Sequence, residues 1–174
     1  FCVTEKFKKN LKKNYKNNYK FFIKIESSFK KNGSLTYGEL ILPGKSKKEI
    51  LISTNICHPQ MANNELSGPL VALALAKHFS KKKNEKTLRF IFIPETIGSI
   101  TYLNLNFNEL KRNVIGGYTL SCIGDQKSYS FIPTKYGSTI SDRAAEEAFK
   151  QLNIKYKKFS FLKRGSDERQ YNSP

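Results

Sequence analysis

The sequence predicts an α/β protein, a three-layer α/β/α sandwich with a mixed, mostly parallel sheet. Stretches rich in apolar and β-branched residues alternate along the chain with stretches of helical periodicity. Several of the strand-like stretches, such as Ile50–Thr54 and Leu88–Ile93, carry apolar residues on both faces, as the buried strands of a parallel sheet do. The 174 residues are enough to enclose a single sizeable core.

The N-terminal part predicts a linker followed by a hairpin. Residues 1–18 are basic and poor in apolar side chains, so they are assigned to a linker or to the end of a preceding segment, with at most a solvated helix. Tyr19–Ile25 is aromatic, β-branched and partly alternating, which predicts a strand. Asn32-Gly33 predicts a turn, and Leu35–Leu42 is the expected hairpin partner.

Residues 19–174 are assigned to one domain in which strands and helices follow in turn. The helix predicted after the first buried strand repeats Leu70, Leu73, Ala74 and Phe79 at helical spacing. The predicted elements are, in order, strand Glu49–Thr54, helix Ser67–Phe79, strand Leu88–Ile93, short helix Gly98–Asn106, strand Gly117–Ile123, antiparallel strand Tyr129–Ile132, helix Ser141–Leu152 and strand Tyr156–Phe161.

The net charge of +17 raises the question of a polyanionic partner such as nucleic acid. Lysine and asparagine crowd into runs such as Lys8-Lys9-Asn10 and Lys81-Lys82-Lys83-Asn84, which fall in predicted loops or solvated faces. These runs are not interleaved with stacking aromatic residues, and no recognition helix is evident. We therefore expect codon usage in an AT-rich genome, and not nucleic-acid binding, to account for the charge.

The cysteines and the chain ends bear on location and completeness. Cys2, Cys57 and Cys122 are odd in number and lack CxxC spacing, which favours a reducing cytoplasm over a disulfide framework. The sequence holds no apolar run of about 18 residues, so we expect no membrane span. The start at Phe1 and the stop at Pro174 predict a fragment, with the domain truncated at its C-terminus.

Polar residues with catalytic potential follow directly after three predicted strands. His58, Glu95 and Asp125 each come within a few residues of a strand's carboxyl end. In open α/β sheets these ends form the ligand crevice, so one imidazole and two carboxylates are expected at one edge, a combination suited to a metal and a base. Each residue alone has a plainer interpretation, as a hydrogen-bonded loop histidine, a helix-starting glutamate or a turn-forming aspartate.

Four motifs carry a resemblance to a known family: Asn55–Pro59 (NICHP), Ala62–Gly68 (ANNELSG), Pro94–Ser99 (PETIGS) and Gly165–Pro174 (GSDERQYNSP). Together they resemble the bacterial aminopeptidase-like domain, a largely uncharacterised family often associated with polysaccharide biosynthesis. That family is similar to zinc aminopeptidases and glutaminyl cyclases. The resemblance implies a zinc-peptidase-like, phosphorylase/hydrolase-like three-layer fold and a metal-dependent hydrolase.

The resemblance also implies roles for single residues. His58 matches the zinc-binding histidine at the strand end, and Glu95 matches the general base. Asp125 falls at the position of an aspartate that binds the first zinc. Asn64 stands where the wider group has a bridging aspartate, and Thr96 stands where it has a carboxylate for the second zinc. Because these two positions lack negative charge, one zinc ion is expected, held by His58, Asp125 and Asn64.

Ser166 and Asp167 resemble a Ser-Asp pair near the substrate pocket of the wider group. Asp167 or Glu168 is expected to be the acidic partner of a substrate's free amino group, so all three residues are assigned to substrate binding. The predicted activity is hydrolysis of a small peptide or other amide-bearing substrate by a metal-activated water. Two alternatives stay open: a catalytically inactive binding domain in polysaccharide biosynthesis, and amine cyclisation or deacylation of an amino sugar. The oligomeric state is not predicted by the sequence.

Overall fold

A computed structural model describes residues 3–14, 22–57, 62–163 and 165–171. The chain forms two compact units, residues 1–33 and 34–174, and each is considered by itself. The helices and strands, numbered in chain order, are α1 Glu5–Asn14, β1 Gly38–Leu42, β2 Ser46–Asn55, α2 Ser67–Phe79, β3 Lys86–Ile93, α3 Ile97–Asn113, β4 Val114–Leu120, β5 Tyr129–Phe131, α4 Ile140–Gln151, β6 Tyr156–Lys158 and α5 Asp167–Tyr171. A π-helical segment, Ala62–Leu66, precedes α2, and a 3-10 turn, Phe161–Lys163, precedes α5.

The first unit contains helix α1 and an irregular segment. None of the residues of α1 is buried, which agrees with the solvated helix that the sequence permits there. The strand predicted over Tyr19–Ile25 is wrong for residues 22–25, which have no strand structure; residues 19–21 lie outside the described part of the chain. Phe22 is 90% exposed, and the predicted partner strand pairs elsewhere, so neither a ladder nor a buried face supports a strand here. The predicted turn is present, with the Gly33 amide donating to the Lys30 carbonyl at 3.1 Å.

The second unit is built on a four-stranded sheet in the order β1-β3-β2-β4. Strand β2 pairs in parallel with β3 and with β4, whereas β1 is antiparallel to β3, so the predicted mixed, mostly parallel sheet is confirmed. Asn55 is aligned with Ile93, and Thr54 with Leu120, so the carboxyl ends of β2, β3 and β4 lie at the same edge of the sheet.

Helices cover both faces of this sheet because side chains alternate along each strand. On one face the core contains Leu51, Ile91, Ile93, Tyr102 and Leu110, the last two from α3. On the other face it contains Ile52, Phe90, Ala72 and Ala76, the last two from α2. The three-layer arrangement predicted from the sequence is therefore present around these strands.

Helix α2 matches its predicted bounds, but it packs through small side chains. Its buried residues are Gly68, Ala72 and Ala76, whereas Leu70 is 63% and Leu73 52% exposed. A Cβ on Gly68 would overlap the Thr54 hydroxyl and the Leu120 carbonyl oxygen, so the helix approaches the sheet more closely than a larger residue permits. The predicted leucine stripe is thus on the helix, but it does not face the sheet.

The C-terminal elements form a smaller parallel pair. Strand β5 pairs with β6 in parallel, so the prediction of an antiparallel strand at Tyr129–Ile132 is wrong. The two strands are joined through α4, and a crossover helix returns the chain in the same direction. Phe149 of α4 stacks on Tyr156 at 4.3 Å between ring centroids and also contacts Phe131, which fixes the helix on the pair.

Several predicted bounds are shifted, and three examples follow. The short helix at Gly98–Asn106 extends to Asn113, because Leu110, two turns beyond Tyr102, continues its buried face. The strand at Gly117–Ile123 is instead Val114–Leu120; beyond Leu120 the backbone leaves the sheet, and Cys122 has a φ of 53°. The strand at Tyr156–Phe161 ends at Lys158.

Candidate active site

The candidate site lies at the carboxyl edge of β2, β3 and β4, where three loops leave the sheet. Glu95 follows β3 by two residues, and Asp125 follows β4 by five. His58 follows β2 by three residues in sequence and lies outside the described residues. The topology places the carboxyl ends of β2, β3 and β4, after which these three residues follow in sequence, at one edge of the sheet.

Glu95 is half-buried and is held through both its side chain and its backbone. Its Oε1 accepts a hydrogen bond from the Ser166 hydroxyl, and its backbone N–H donates to the Cys57 sulfur at 3.2 Å. The next residue, Thr96, has a φ of 63° and a ψ of −68°, a conformation that β-branched residues rarely adopt. The backbone that presents Glu95 is therefore strained immediately after the carboxylate.

Asp167 holds the strained backbone at Thr96 through a hydrogen bond to its amide. It is completely buried, and its Oδ1 accepts from the Thr96 amide at 2.6 Å and from the Ser99 hydroxyl at 2.9 Å. Burial raises the pKa of Asp167, as do the negative charges of Glu95 and Glu168, while its two hydrogen bonds act in the other direction. Its Oδ2 is buried without a hydrogen-bond partner among the described residues.

Asn64 and Asp125 belong to a polar junction between the π-helical segment and the loop after β4. The Asn64 amide oxygen accepts from the Ser121 hydroxyl at 2.8 Å. The neighbouring Asn63 donates to Asp125 Oδ2 at 3.3 Å and accepts from the Gly124 amide at 2.8 Å. Asp125 is exposed, and its Oδ1 accepts from the Lys127 amide at 2.9 Å. The structure therefore brings the loops of Asn64 and Asp125 together.

Cys57 and Glu65 hold the chain just before His58. The Cys57 amide donates to Glu65 Oε2 at 2.5 Å, and its thiol lies 3.8 Å from Oε1. Burial raises the pKa of the Cys57 thiol, and the nearby Glu65 and Glu95 charges add to this, whereas the hydrogen bond from the Glu95 amide lowers it. A thiol whose pKa is raised stays neutral, so Cys57 acts here as a packed, hydrogen-bonded group.

The side chains from these loops line one end of a broad groove that continues along β4. We call it the strand-end groove; the site residues that line it are Asn64, Glu95, Ser121, Cys122, Asp125, Ser166 and Glu168. Glu168 also accepts a hydrogen bond from the Ser166 amide at 3.1 Å. Across the described ranges, no group of three or more His, Cys, Asp or Glu residues is placed to hold a metal ion. The groove is shared, but its described acidic residues are not gathered around one point.

Several residues of the site were not predicted from the sequence. Glu65 is 4% exposed and supports the His58 loop, and Asn63 joins two loops. The only sequence signal for either was membership of the ANNELSG run, which does not distinguish a supporting residue from a ligand. Ser99, within the PETIGS run, bonds to Asp167, 68 positions away in the chain.

The fold and the site together define a class: an α/β domain that presents a glutamate and further polar groups at the carboxyl ends of parallel strands, where open α/β sheets form their ligand crevice. Residues 7–174 match a protein family described as "Domain of unknown function (DUF4910)". The chain belongs to this family.

Two similar proteins, both from Clostridium acetobutylicum, agree with that class. One is called "Putative polysaccharide biosynthesis protein with aminopeptidase-like domain"; it is 41% identical over 152 residues, which are 87% of this chain and 35% of that protein. The other is a crystal structure of a "putative peptidase", with a TM-score of 0.75 and 40% identity, over 79% of this chain and 32% of that one. This chain thus spans about a third of the length of each, and the fold is peptidase-like.

The helices in the described part of the chain include none that is both long enough and apolar enough to cross a membrane.

Proposed function

We propose that this domain is part of a metal-dependent, aminopeptidase-like hydrolase that cleaves an amide or peptide bond, with Glu95 as the general base. The observation that carries the proposal is the position of Glu95: a half-buried carboxylate at the carboxyl end of β3 that lines the strand-end groove. The similarity to proteins named aminopeptidase-like and peptidase supports a peptide substrate.

The work proposed for Glu95 is proton transfer. Its carboxylate would accept the proton of an attacking water and deliver it to the leaving amine as the amide bond breaks. Because Ser166 donates to Oε1, the carboxylate is oriented before substrate arrives. Of the three residues that the family resemblance assigns to substrate contact, Ser166 and Glu168 line the strand-end groove, whereas Asp167 is buried.

The donor set fits one zinc ion better than two. Asp125 offers an exposed carboxylate, and Asn64 offers a neutral amide oxygen that already accepts from Ser121. Thr96, at the other position where the wider group has a carboxylate, contributes only a hydroxyl. We propose that His58, Asp125 and Asn64 hold a single ion, which when bound would supply Lewis acidity at the amide carbonyl.

Replacing Glu95 with glutamine tests the proposal. The amide cannot accept the water's proton, so turnover of aminoacyl 4-methylcoumarin-7-amides should fall by roughly two to four orders of magnitude. Glu85→Gln is the matched control, because Glu85 is an exposed glutamate just before the opposite end of β3 and pairs with Lys45. Equal turnover in the Glu95 variant and wild type would remove Glu95 from this role.

A second candidate is a catalytically inactive binding domain that acts in polysaccharide biosynthesis. Two observations favour it: Asn64 and Thr96 are neutral, and the described residues contain no clustered metal-binding group. Metal analysis of protein purified without chelator distinguishes the two. Bound zinc that is retained in Glu95→Gln but lost in Asp125→Asn supports the hydrolase. Zinc-free protein whose melting temperature does not respond to added zinc supports the inactive domain.

For either function we propose a cytoplasmic location, from the cysteine pattern alone.

A further inference from the structure

Ser166 and Asp167 are adjacent in sequence, yet they bond to two different parts of the dipeptide Glu95-Thr96. The Ser166 hydroxyl donates to the Glu95 carboxylate, and Asp167 Oδ1 accepts from the Thr96 amide. One side chain thus fixes the end of Glu95, and the other fixes the backbone that follows it. Two bonds at separate points determine the direction of the carboxylate better than either does alone.

The strained conformation of Thr96 needs such bonds to persist. A β-branched residue with a φ of 63° relaxes unless its surroundings hold it, and the described bond that holds its amide comes from Asp167. Ser99, on the first turn of α3, donates to the same Oδ1 at 2.9 Å and so orients Asp167 toward that amide. Relaxation of Thr96 would rotate the peptide group that joins it to Glu95 and turn the carboxylate away from its present direction.

Burial argues that Asp167 serves this role and does not meet a substrate directly. The side chain of Asp167 has no exposed surface, and it lies on the first turn of α5, whose last residue, Tyr171, reaches Ser53 of β2 at 3.1 Å. Short helix α5 is therefore packed against the sheet with Asp167 facing inward, whereas Ser166, just before it, lines the strand-end groove.

We infer that Ser166 and Asp167 are positioning residues that hold the carboxylate of Glu95 in its working direction, an inference that rests on the proposed role of Glu95. This goes beyond the substrate-binding role that the family resemblance gave them. It also explains why the specific motif Gly165–Pro174 accompanies PETIGS in the same sequence: the two motifs are bonded to each other, 71 positions apart.

The test reads the geometry directly and does not depend on a substrate. Protein labelled with 13C in the glutamate carboxyl group gives a Glu95 resonance, identified by its loss in Glu95→Gln. Ser166→Ala should shift this resonance, and Ser166→Thr, which keeps a hydroxyl, should restore most of its position. The Glu85 resonance, far from Ser166 along β3, is the internal control and should stay in place.

The Asp167 arm uses the amide resonance of Thr96. Asp167→Ala should move both this amide and the Glu95 carboxyl resonance, whereas Asp167→Asn keeps an oxygen acceptor and should retain most of the bond. If Asp167→Ala does not fold, as its amide spectrum would show, the Ser166 pair decides the question alone. A Glu95 resonance that stays unmoved in Ser166→Ala overturns the inference.

Kinetics add a separate readout where turnover of an aminoacyl 4-methylcoumarin-7-amide is detected. Loss of one hydrogen bond to a charged group typically lowers a rate by about ten- to a hundredfold, so Ser166→Ala should lower kcat by that factor with little change in KM. A raised KM with unchanged kcat would instead assign Ser166 to substrate binding and overturn the inference. Absent turnover in wild-type protein contradicts the proposed hydrolase, while the carboxyl resonances still decide whether Ser166 and Asp167 hold Glu95.

Discussion

Replacing Arg89 with methionine should destabilise the second unit strongly, because Arg89 is a buried cation at the centre of an ion network. Its side chain is 3% exposed, and it binds Glu49, itself 6% exposed, through two nitrogens at 2.6 and 3.1 Å. It also binds Glu39 at 2.7 Å, Glu109, and the Tyr102 hydroxyl at 3.1 Å. The hydrogen bonds from Arg89 to Glu49 raise the arginine's pKa above its usual value, so it remains charged throughout.

The loss of stability in Arg89→Met depends on the buried carboxylate of Glu49, which would lose its partner. Glu49 would stay buried on the α3 face of β2. Among the described residues, the side-chain contact left to it would be a weak one of 3.4 Å from the Asn113 amide. Removing one partner of a buried pair typically costs about 3–5 kcal/mol, which is a large share of a domain's total stability. Glu109→Gln should cost only about 0–1 kcal/mol, because the Glu109 side chain is 45% exposed and water replaces the lost interaction.

Urea unfolding followed by circular dichroism measures both variants. The double variant Arg89→Met with Glu49→Leu gives the sharper test, since replacing a buried pair by apolar residues of similar size is often neutral or stabilising. We expect the double variant to recover most of the stability lost in Arg89→Met. A loss below about 1 kcal/mol in Arg89→Met, or an additive further loss in the double variant, would refute the view that desolvated charge dominates at this position.

Two further changes follow from the structure. The two buried aspartates, Asp142 and Asp167, should affect the pH dependence of stability in opposite directions. Burial acts to raise the pKa of Asp142, but the hydrogen bonds from Thr134 and Thr139 outweigh burial, so that pKa is lowered. Burial raises the pKa of Asp167. Asp142→Asn should therefore be less stable than wild type near neutral pH, by about 1 kcal/mol, and should approach wild type as the pH falls through the lowered pKa. Asp167→Asn should instead gain stability relative to wild type as the pH rises above the usual aspartate pKa. Thermal unfolding between about pH 3 and pH 8 tests both signs. Gly68→Ala should lose about 1–3 kcal/mol by overpacking against the sheet, while Gly38→Ala, whose Cβ would lie at an ordinary 3.6 Å from Phe92, should lose less than half as much in the same urea assay.

The layers and the site edge could be predicted because they depend on local patterns. The apolar run through β2 and β3 identified two buried parallel strands, and the turn to polar residues after each one located the loops of His58 and Glu95. Helix α2 was placed correctly because its apolar residues recur at helical spacing. The buried face of α2 was not predicted correctly. The helix lies so close to the sheet that Gly68 and the alanines fit there and leucine does not, and helical periodicity gives no information about the distance between helix and sheet.

The strand predicted over Tyr19–Ile25, which is absent at residues 22–25, has a similar origin. Its aromatic, partly alternating pattern is typical of a strand, but a strand is stabilised by its neighbour, and β1 pairs with β3 instead. The direction of β5 was wrong for the same reason: pairing is decided by which chain segment lies alongside. Local propensity shows that a segment is able to be extended, but it does not show which strand, if any, will accept it.

The support of Glu95 illustrates the remaining limit. Its carboxylate is oriented by Ser166, 71 residues later in the chain, and the backbone after it is held by Asp167 at the same separation. The sequence marked all three as members of motifs, but equal prominence in a motif does not separate a group that reacts from a group that holds it. Burial separates Asp167 from the other two: Glu95 and Ser166 line the groove, whereas Asp167 has no exposed surface. A strained connection that a buried aspartate holds beside an accessible carboxylate is what one expects when a site needs a fixed direction, because strain is retained only where the surrounding bonds outweigh it.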